Sequence, residues 1–297
     1  GTWSKKLFNQ SATEYLTEQG ILSEYDWKEE IRLQNKRWEA EAKAREEQLE
    51  AEMKAPIETV YYEPQVYSVP EINVSGEEAN AWKYNYYHEG EVYIEDYLGD
   101  NDHIVIPTFI NGKRVTNLDN FGLETCKASV VEIPGSIKNL AGHLGYQNEN
   151  IQTVIVGEGV ETIGESCFSF VENLKTIKVS RSVISVGDIA FKYTPWYEAQ
   201  DDLIIIGSVL TEMKQDHAVL NVPQGIKTVG RLVAEFKSAL RKVVLPESVT
   251  TLCESAFSGR GNENIKEFIF TDSLTNIGLH SFGYNKWTES FGDNPVI

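Results

Sequence analysis

At 297 residues with 41% hydrophobic side chains, the chain is long enough for one large domain with an appendage. Its longest apolar run, Leu203 to Ile206, falls far short of the roughly 18 residues that a membrane-spanning helix needs. Forty-five acidic against 27 basic side chains leave a formal charge of -18, which argues against the clustered Lys and Arg from which a nucleic-acid surface draws its affinity.

The chain starts Gly1-Thr2-Trp3 without an initiator Met, read as removal of the native start, so a missing leader carries no weight. A helix is expected over 11–55, within a charged N-terminal region 1–55, because Ser11 can cap with Glu14 and no Gly or Pro lies between Gly20 and Pro56. Between Asp26 and Ala55, 16 of 30 residues are charged. Its apolar stripe of Trp27, Ile31, Trp38, Ala42, Leu49 and Met53 is interrupted by Gln34 and Arg45, which makes a poor coiled coil. The readings are a solvated helix that docks its tryptophans or acts as a stalk, or a partner-binding helix that supports self-association. Residues 56–80 carry Pro56, Pro64 and Pro70 around Tyr and Val and read as an extended linker laid over a surface. Trp82 to Tyr97 alternates aromatic with polar residues around His88-Glu89-Gly90, the pattern of a hairpin that caps a sheet.

From there to residue 297 the chain is periodic. Strand-like runs end in Ile106, Ile133, Val156, Val179, Val222, Leu245 and Phe270, at intervals of 27, 23, 23, 43, 23 and 25. About seven coils of about 23 residues follow, the long interval being a coil with an insertion at 193–216. Within a coil a strand is followed by a turn such as Leu245-Pro246-Glu247-Ser248-Val249, then by an apolar-Gly step (Ile163-Gly164, Val186-Gly187, Ile277-Gly278). Phe168, Phe191, Phe257 and Phe282 each stand five residues after the apolar member of that step. The strand stacks in a parallel ladder, Gly permits close backbone approach, and Phe closes the layer from a short helical turn.

The unit Leu240 to Phe257, the lead-in segment Tyr97 to Pro107 with Ile110 to Val115, and the insertion's Ala190 to Tyr197 with Ile206 to Leu210 resemble the BspA-like, Treponema pallidum-type leucine-rich repeats of bacterial surface proteins. The match covers about residues 90–285. The resemblance implies an α/β repeat solenoid, a leucine-rich repeat right-handed superhelix with short parallel strands and short helical turns, here preceded by a long charged α-helix. It also implies a bacterial cell-surface or extracellular location and an adhesion-like role. Two coils depart from the pattern: Gly142-His143-Leu144 stands where Phe is expected, and Phe236 falls seven residues after Val229, so both are expected to bulge. The Asn ladder of receptor-type leucine-rich repeats is absent. Only 15 residues follow Phe282, so a C-terminal cap is expected to be short.

Strand alternation sends two columns of side chains to the outer, concave face. The fifth-position column, Val105, Glu132, Ile155, Lys178, Asn221, Val244 and Ile269, forms the candidate ligand-binding face; the third-position column is His103, Val130, Thr153, Thr176, Val219, Lys242 and Glu267. Seven strands at about 4.8 Å give a ladder on the order of 30 Å long, suited to an extracellular protein or glycan. Val and Ile also favour strands for their own sake. Trp196 and Tyr197 in the insertion are a candidate aromatic anchor, or pins that hold the insertion on its scaffold. Asp100, Asn101 and Asp102 offer cation oxygens without the fuller set of an EF-hand loop and read as a turn.

No catalytic residue, metal site or cofactor is nominated. The five histidines are scattered, no HExxH, nucleophile elbow or phosphate loop occurs, and Cys126, Cys167 and Cys253 are too few and too widely spaced for a disulfide framework or a CxxC site. The expectation is a non-enzymatic binding scaffold. The alternative is a carbohydrate-active enzyme or carbohydrate-binding module on a parallel β-helix-like solenoid, disfavoured because the rungs Glu132, Ile155, Lys178 and Asn221 do not converge on an acid and a base. A structural stalk is the third option.

Overall fold

Alternation of apolar and polar residues in TVIV and VVEI fixes the first strand of each coil: Val131 and Ile133, Val154 and Val156 are buried while their neighbours are half-exposed. In the computed structural model, which describes residues 19, 24–87, 90–258 and 262–283, His103–Val105, Val130–Ile133, Thr153–Val156 and Thr176–Val179 stack in parallel. Val219–Asn221, Lys242–Val244 and Glu267–Ile269 stack in the same sense. These form two ladders of four and three strands instead of one of seven.

The inserted segment causes the break. Thr194 Oγ1 accepts from the amide of Tyr197 at 3.1 Å and caps a single helical turn, Pro195–Glu198. Leu203–Ile206 then pairs antiparallel with Val209–Met213. This second strand takes a rung of its own, because Val209 and Leu210 pair in parallel with Thr228 and Val229. The buried core correspondingly separates into two clusters, one reaching Ile206 and the other beginning at Leu210.

The apolar-Gly steps form the second ladder. Asn139–Leu140, Thr162–Ile163 and Ser185–Val186 stack before the insertion, and Thr228–Val229, Thr251–Leu252 and Asn276–Ile277 after it. A Cβ on Gly187 would run into the amide nitrogen of Glu165, so this spacing of coils requires glycine there. An arch follows each step, made of i→i+3 turns such as Ser169 N–H to Ser166 O and Lys192 N–H to Ile189 O, at 3.2 and 3.1 Å. It opens on a residue with positive φ: Phe121, His143, Ser166, Ile189, Leu232, Ser255 and His280. Inside the arches Phe168 stacks on Phe191 at 5.7 Å and Phe257 on Phe282 at 6.4 Å.

Neither departing coil packs loosely. In the first, Leu144 is fully buried, and the Phe168 ring of the next coil occupies the space that a side chain on Gly145 would need. In the second, Ala234 fills the interior place and Phe236 turns outward. Two asparagines are buried among the described residues, Asn148 and Asn262, and Asn148 makes the fuller set of bonds. Its Nδ2 donates to the carbonyls of Leu123, Glu124 and Cys126, and its Oδ1 accepts from the amides of Asn150 and Ile151, at 2.7–3.0 Å.

The N-terminal end of the repeats is closed by a five-stranded sheet in the order Asn73–Val74, Phe109–Ile110, Lys113–Leu118, Val92–Tyr97, Trp82–Tyr86. Trp82 and Tyr97 meet at 4.6 Å across its hairpin; His88 and Glu89 of the turn lie outside the described residues. Upstream, residues 58–74 run back along the coils as an extended strap. Gln224 N–H donates to Val60 O, Arg181 N–H to Gln65 O, Glu158 N–H to Tyr67 O and Thr108 N–H to Ile72 O, at 2.7–2.9 Å. Each of these amides follows the end of a first strand by two or three residues, so the strap pairs corner groups that the ladders leave open. Gly225 sits at φ +109 and a Cβ there would overlap the Tyr62 carbonyl. Gly225→Ala is therefore expected to lower stability by about 1–3 kcal/mol and to expose the strap to limited proteolysis. A variant as protease-resistant and as stable as the parent would show that the strap contributes little there.

The chain divides into two compact units at Ala55/Pro56. The first contains α1, Glu24–Lys54, uninterrupted by Gly or Pro and decorated with exposed Arg32–Glu29, Lys43–Glu47 and Lys54–Glu50 pairs, which solvent screens. Ile31, Leu33 and Trp38 are exposed. The expected cap at Ser11 and Glu14 lies outside the described residues, as does the chain after Gly283.

Candidate functional site

The strand face places the candidate residues in register. Val105, Glu132, Ile155 and Lys178 are directly paired in one ladder, and Asn221, Val244 and Ile269 in the other. All are half-exposed or exposed. The two groups belong to separate ladders, so the continuous column of seven is replaced by a column of four and a column of three. Two cross-rung contacts organise the face: His103 Nε2 meets Glu132 Oε1 at 2.7 Å, and Lys242 Nζ meets Glu267 Oε1 at 3.3 Å. Asn221 is already engaged, its Nδ2 donating to Glu58 O of the strap at 2.6 Å.

Trp196 and Tyr197 do not form an exposed pair. Trp196 is half-buried and sets its ring edge against Phe191 at 6.0 Å, pinning the insertion to the coil beneath. Tyr197 faces a polar network: its hydroxyl donates to Glu212 Oε2 at 2.9 Å, Lys192 Nζ approaches the same oxygen at 2.9 Å, and Lys214 Nζ lies 5.0 Å from its ring centroid. Burial, then the Glu212 carboxylate, pushes the Tyr197 phenol up, which keeps the hydroxyl a donor at neutral pH.

The arches carry outward, exposed or half-buried aromatic rings that periodicity alone did not bring out. Phe121, His143, Tyr146, Phe170 and Tyr193 follow one another along four consecutive arches, ending in Phe170 stacked on Tyr193 at 4.4 Å. The signal in the sequence is the pair Phe168-Ser-Phe170 and its repeat Phe191-Lys-Tyr193, an inward ring followed two residues later by an outward one. Beyond Tyr193 the succession breaks, because the rung Val209–Met213 continues straight instead of arching. Met213 N–H donates to Val233 O at 2.8 Å, and the column of positive-φ residues passes from Ile189 to Leu232. The missing arch leaves a cleft of about 360 Å³ between the arch at 187–192 and the arch at 230–237, with Thr211 and Glu212 on its floor.

The remaining chemistry is structural. Burial pushes the thiols of Cys126, Cys167 and Cys253 up, away from the thiolate that reactive cysteines need. His217 pairs with Asp202 at 3.2 Å, and Asp100 of the acidic turn pairs with Lys127 at 2.6 Å. Among the described residues no three His, Cys, Asp or Glu side chains converge on a metal-sized site, and no helix is long and apolar enough to cross a membrane.

A family model described as the BspA type leucine-rich repeat region matches residues 102–198 and 198–289, in six copies. No curated protein sequence matches the chain. Among solved structures, a leucine-rich cell surface protein of Faecalibacterium prausnitzii A2-165 aligns at 19% identity and TM-score 0.40, over 76% of this chain and 54% of that one, so this chain spans about half its length. The leucine-rich repeat protein of T. pallidum aligns at 18% identity and TM-score 0.40, over 76% and 94% of the two chains. A leucine-rich repeat protein from Bacteroides ovatus aligns at 16% identity and TM-score 0.36, over 69% and 56%.

Proposed function

Because this chain belongs to the BspA-type leucine-rich repeat family, we propose that it is a non-enzymatic binding scaffold, displayed outside a bacterial cell, that holds an extracellular protein or glycan across its strand face. The observation that carries this reading is the register of that face. Val105, Glu132, Ile155 and Lys178, then Asn221, Val244 and Ile269, rise one above another with apolar and charged groups interleaved. Such a surface supplies apolar area for affinity and charge for orientation without a pocket. Its acidic balance speaks against phosphate-rich partners.

Val244→Glu combined with Ile269→Lys tests the face. Neither side chain is in the interior, so the fold, checked by circular dichroism, is expected to persist. Binding to an array of extracellular-matrix proteins and polysaccharides is expected to fall tenfold or more, about 1.4 kcal/mol. A ligand retained at full affinity by the folded double variant would remove the strand face from the reading.

A further inference from the structure

The cleft left by the missing arch sits away from the strand face and has the makings of a site. Its walls carry apolar groups among the charged ones: Ile189 on one arch, Leu232 and Phe236 on the other. Phe236 is 62% exposed and holds φ +61, a conformation that costs a bulky residue free energy and that Gly or Asn would fill more easily. By position it belongs with Phe170 and Tyr193, which share its positive φ. Those two rings cover each other, whereas among the described residues Phe236 stacks on no other ring. The fold thus keeps a strained, outward aromatic at the lip of a gap, where folding alone would favour a smaller residue.

The polar part narrows the ligand. Lys192, Arg231 and Lys237 are matched in number by Asp188, Glu212 and Glu235, so the cleft is neutral within a chain of charge -18. Four of the six charges form ion pairs, Lys192 with Glu212 at 2.9 Å and Arg231 with Asp188 from one arch to the other, while Lys237 Nζ donates to the Lys214 carbonyl at 2.8 Å. A charged ligand would have to break these pairs, at a cost that desolvation raises. A neutral ligand with alternating donors and acceptors can use the spare lone pairs of the carboxylates and the spare N–H groups of the cations while its apolar ring face lies on Phe236. Sugars combine those two properties. The volume, about 360 Å³, lies within the range of small-molecule sites and suits one or two rings.

We propose that this cleft binds one end, or a short internal stretch, of a neutral saccharide chain, with Phe236 as the stacking platform and the Lys192–Glu212 and Arg231–Asp188 pairs holding the hydroxyls. The proposal stands independently of the strand face, and the two are separable. Cellohexaose, chitohexaose, maltohexaose and mannohexaose, with oligogalacturonate as the acidic comparison, are titrated into the full chain by calorimetry. At least one neutral oligosaccharide is expected to bind with a Kd below 1 mM, to weaken tenfold or more in Phe236→Ala, and to be unaffected by the Val244→Glu/Ile269→Lys variant. Phe236→Gly, which relieves the strained φ, is expected to raise the unfolding midpoint while losing the same binding, so a loss of affinity cannot be assigned to misfolding. Failure of every neutral oligosaccharide up to 10 mM, preference for the acidic one, or full affinity in both Phe236 variants would overturn the proposal.

Discussion

Phe168→Ala is expected to lower the free energy of unfolding by about 3–5 kcal/mol, measured by urea denaturation. The ring is fully buried, stacks on Phe191 at 5.7 Å, and overhangs Gly145, where the neighbouring coil supplies no side chain of its own. One truncation therefore opens two layers. The void is bounded by residues that cannot collapse into it, because arch amides are tied from coil to coil, as in Phe168 N–H to Ala190 O at 2.8 Å. Phe168→Leu keeps most of the volume and is expected to cost roughly 1–2 kcal/mol. Equal losses for the two variants would mean that ring shape, not volume, holds the layer.

Asn148→Ala is expected to cost about as much, roughly 3–5 kcal/mol, without removing any apolar group. It removes a donor from the carbonyls of Leu123, Glu124 and Cys126 and deprives the amides of Asn150 and Ile151 of their side-chain acceptor. Asn148→Asp separates the two halves of that role. A carboxylate still accepts from the two amides but faces three carbonyl oxygens, so its pKa in the folded chain is raised above the ordinary value of about 3.9. A group raised on folding favours the fold below its unfolded pKa and loses that contribution as pH rises. The aspartate variant should therefore lose stability, relative to the parent, from about pH 4 upward. A pH-independent difference between the two proteins would show that the donated bonds are dispensable.

The family and the coil register were legible because most coils repeat their inward pairs, their Gly and their Phe at fixed offsets. Strand alternation is a two-residue rule, so the partners of Val105 and Val244 could be read from spacing alone. The 43-residue interval defeated the same logic. Counting from Val179 to Val222 locates an insertion but not its rung, and only the pairing of Val209 and Leu210 with Thr228 and Val229 reveals that the insertion adds a rung to the later short-strand ladder while the long ladder is split. Measured from Val229 against the other coils, Phe236 looks like a misplaced core ring. The interior place was already filled by Ala234, a residue too small to announce itself. Asn148 is not legible in the sequence because its role depends on carbonyls more than 20 positions away. The strap over 58–74 reads as extended from its prolines, but its partners, up to 163 residues distant, carry no sequence signature at all.

That strap alters how the molecule comes apart. A solenoid whose coils touch only their neighbours unravels from its ends like a zipper, and a lesion in one coil stays local. Here one continuous segment is fastened at Thr108, Glu158, Arg181 and Gln224, so a coil cannot leave the stack without slackening a tether shared with coils on both sides of the insertion. The tether thus couples the coils from Thr108 to Gln224, on both sides of the insertion, although the apolar residues of the two core clusters are separate. The same tether slows assembly, since closing it requires corners more than a hundred residues apart to be in place first.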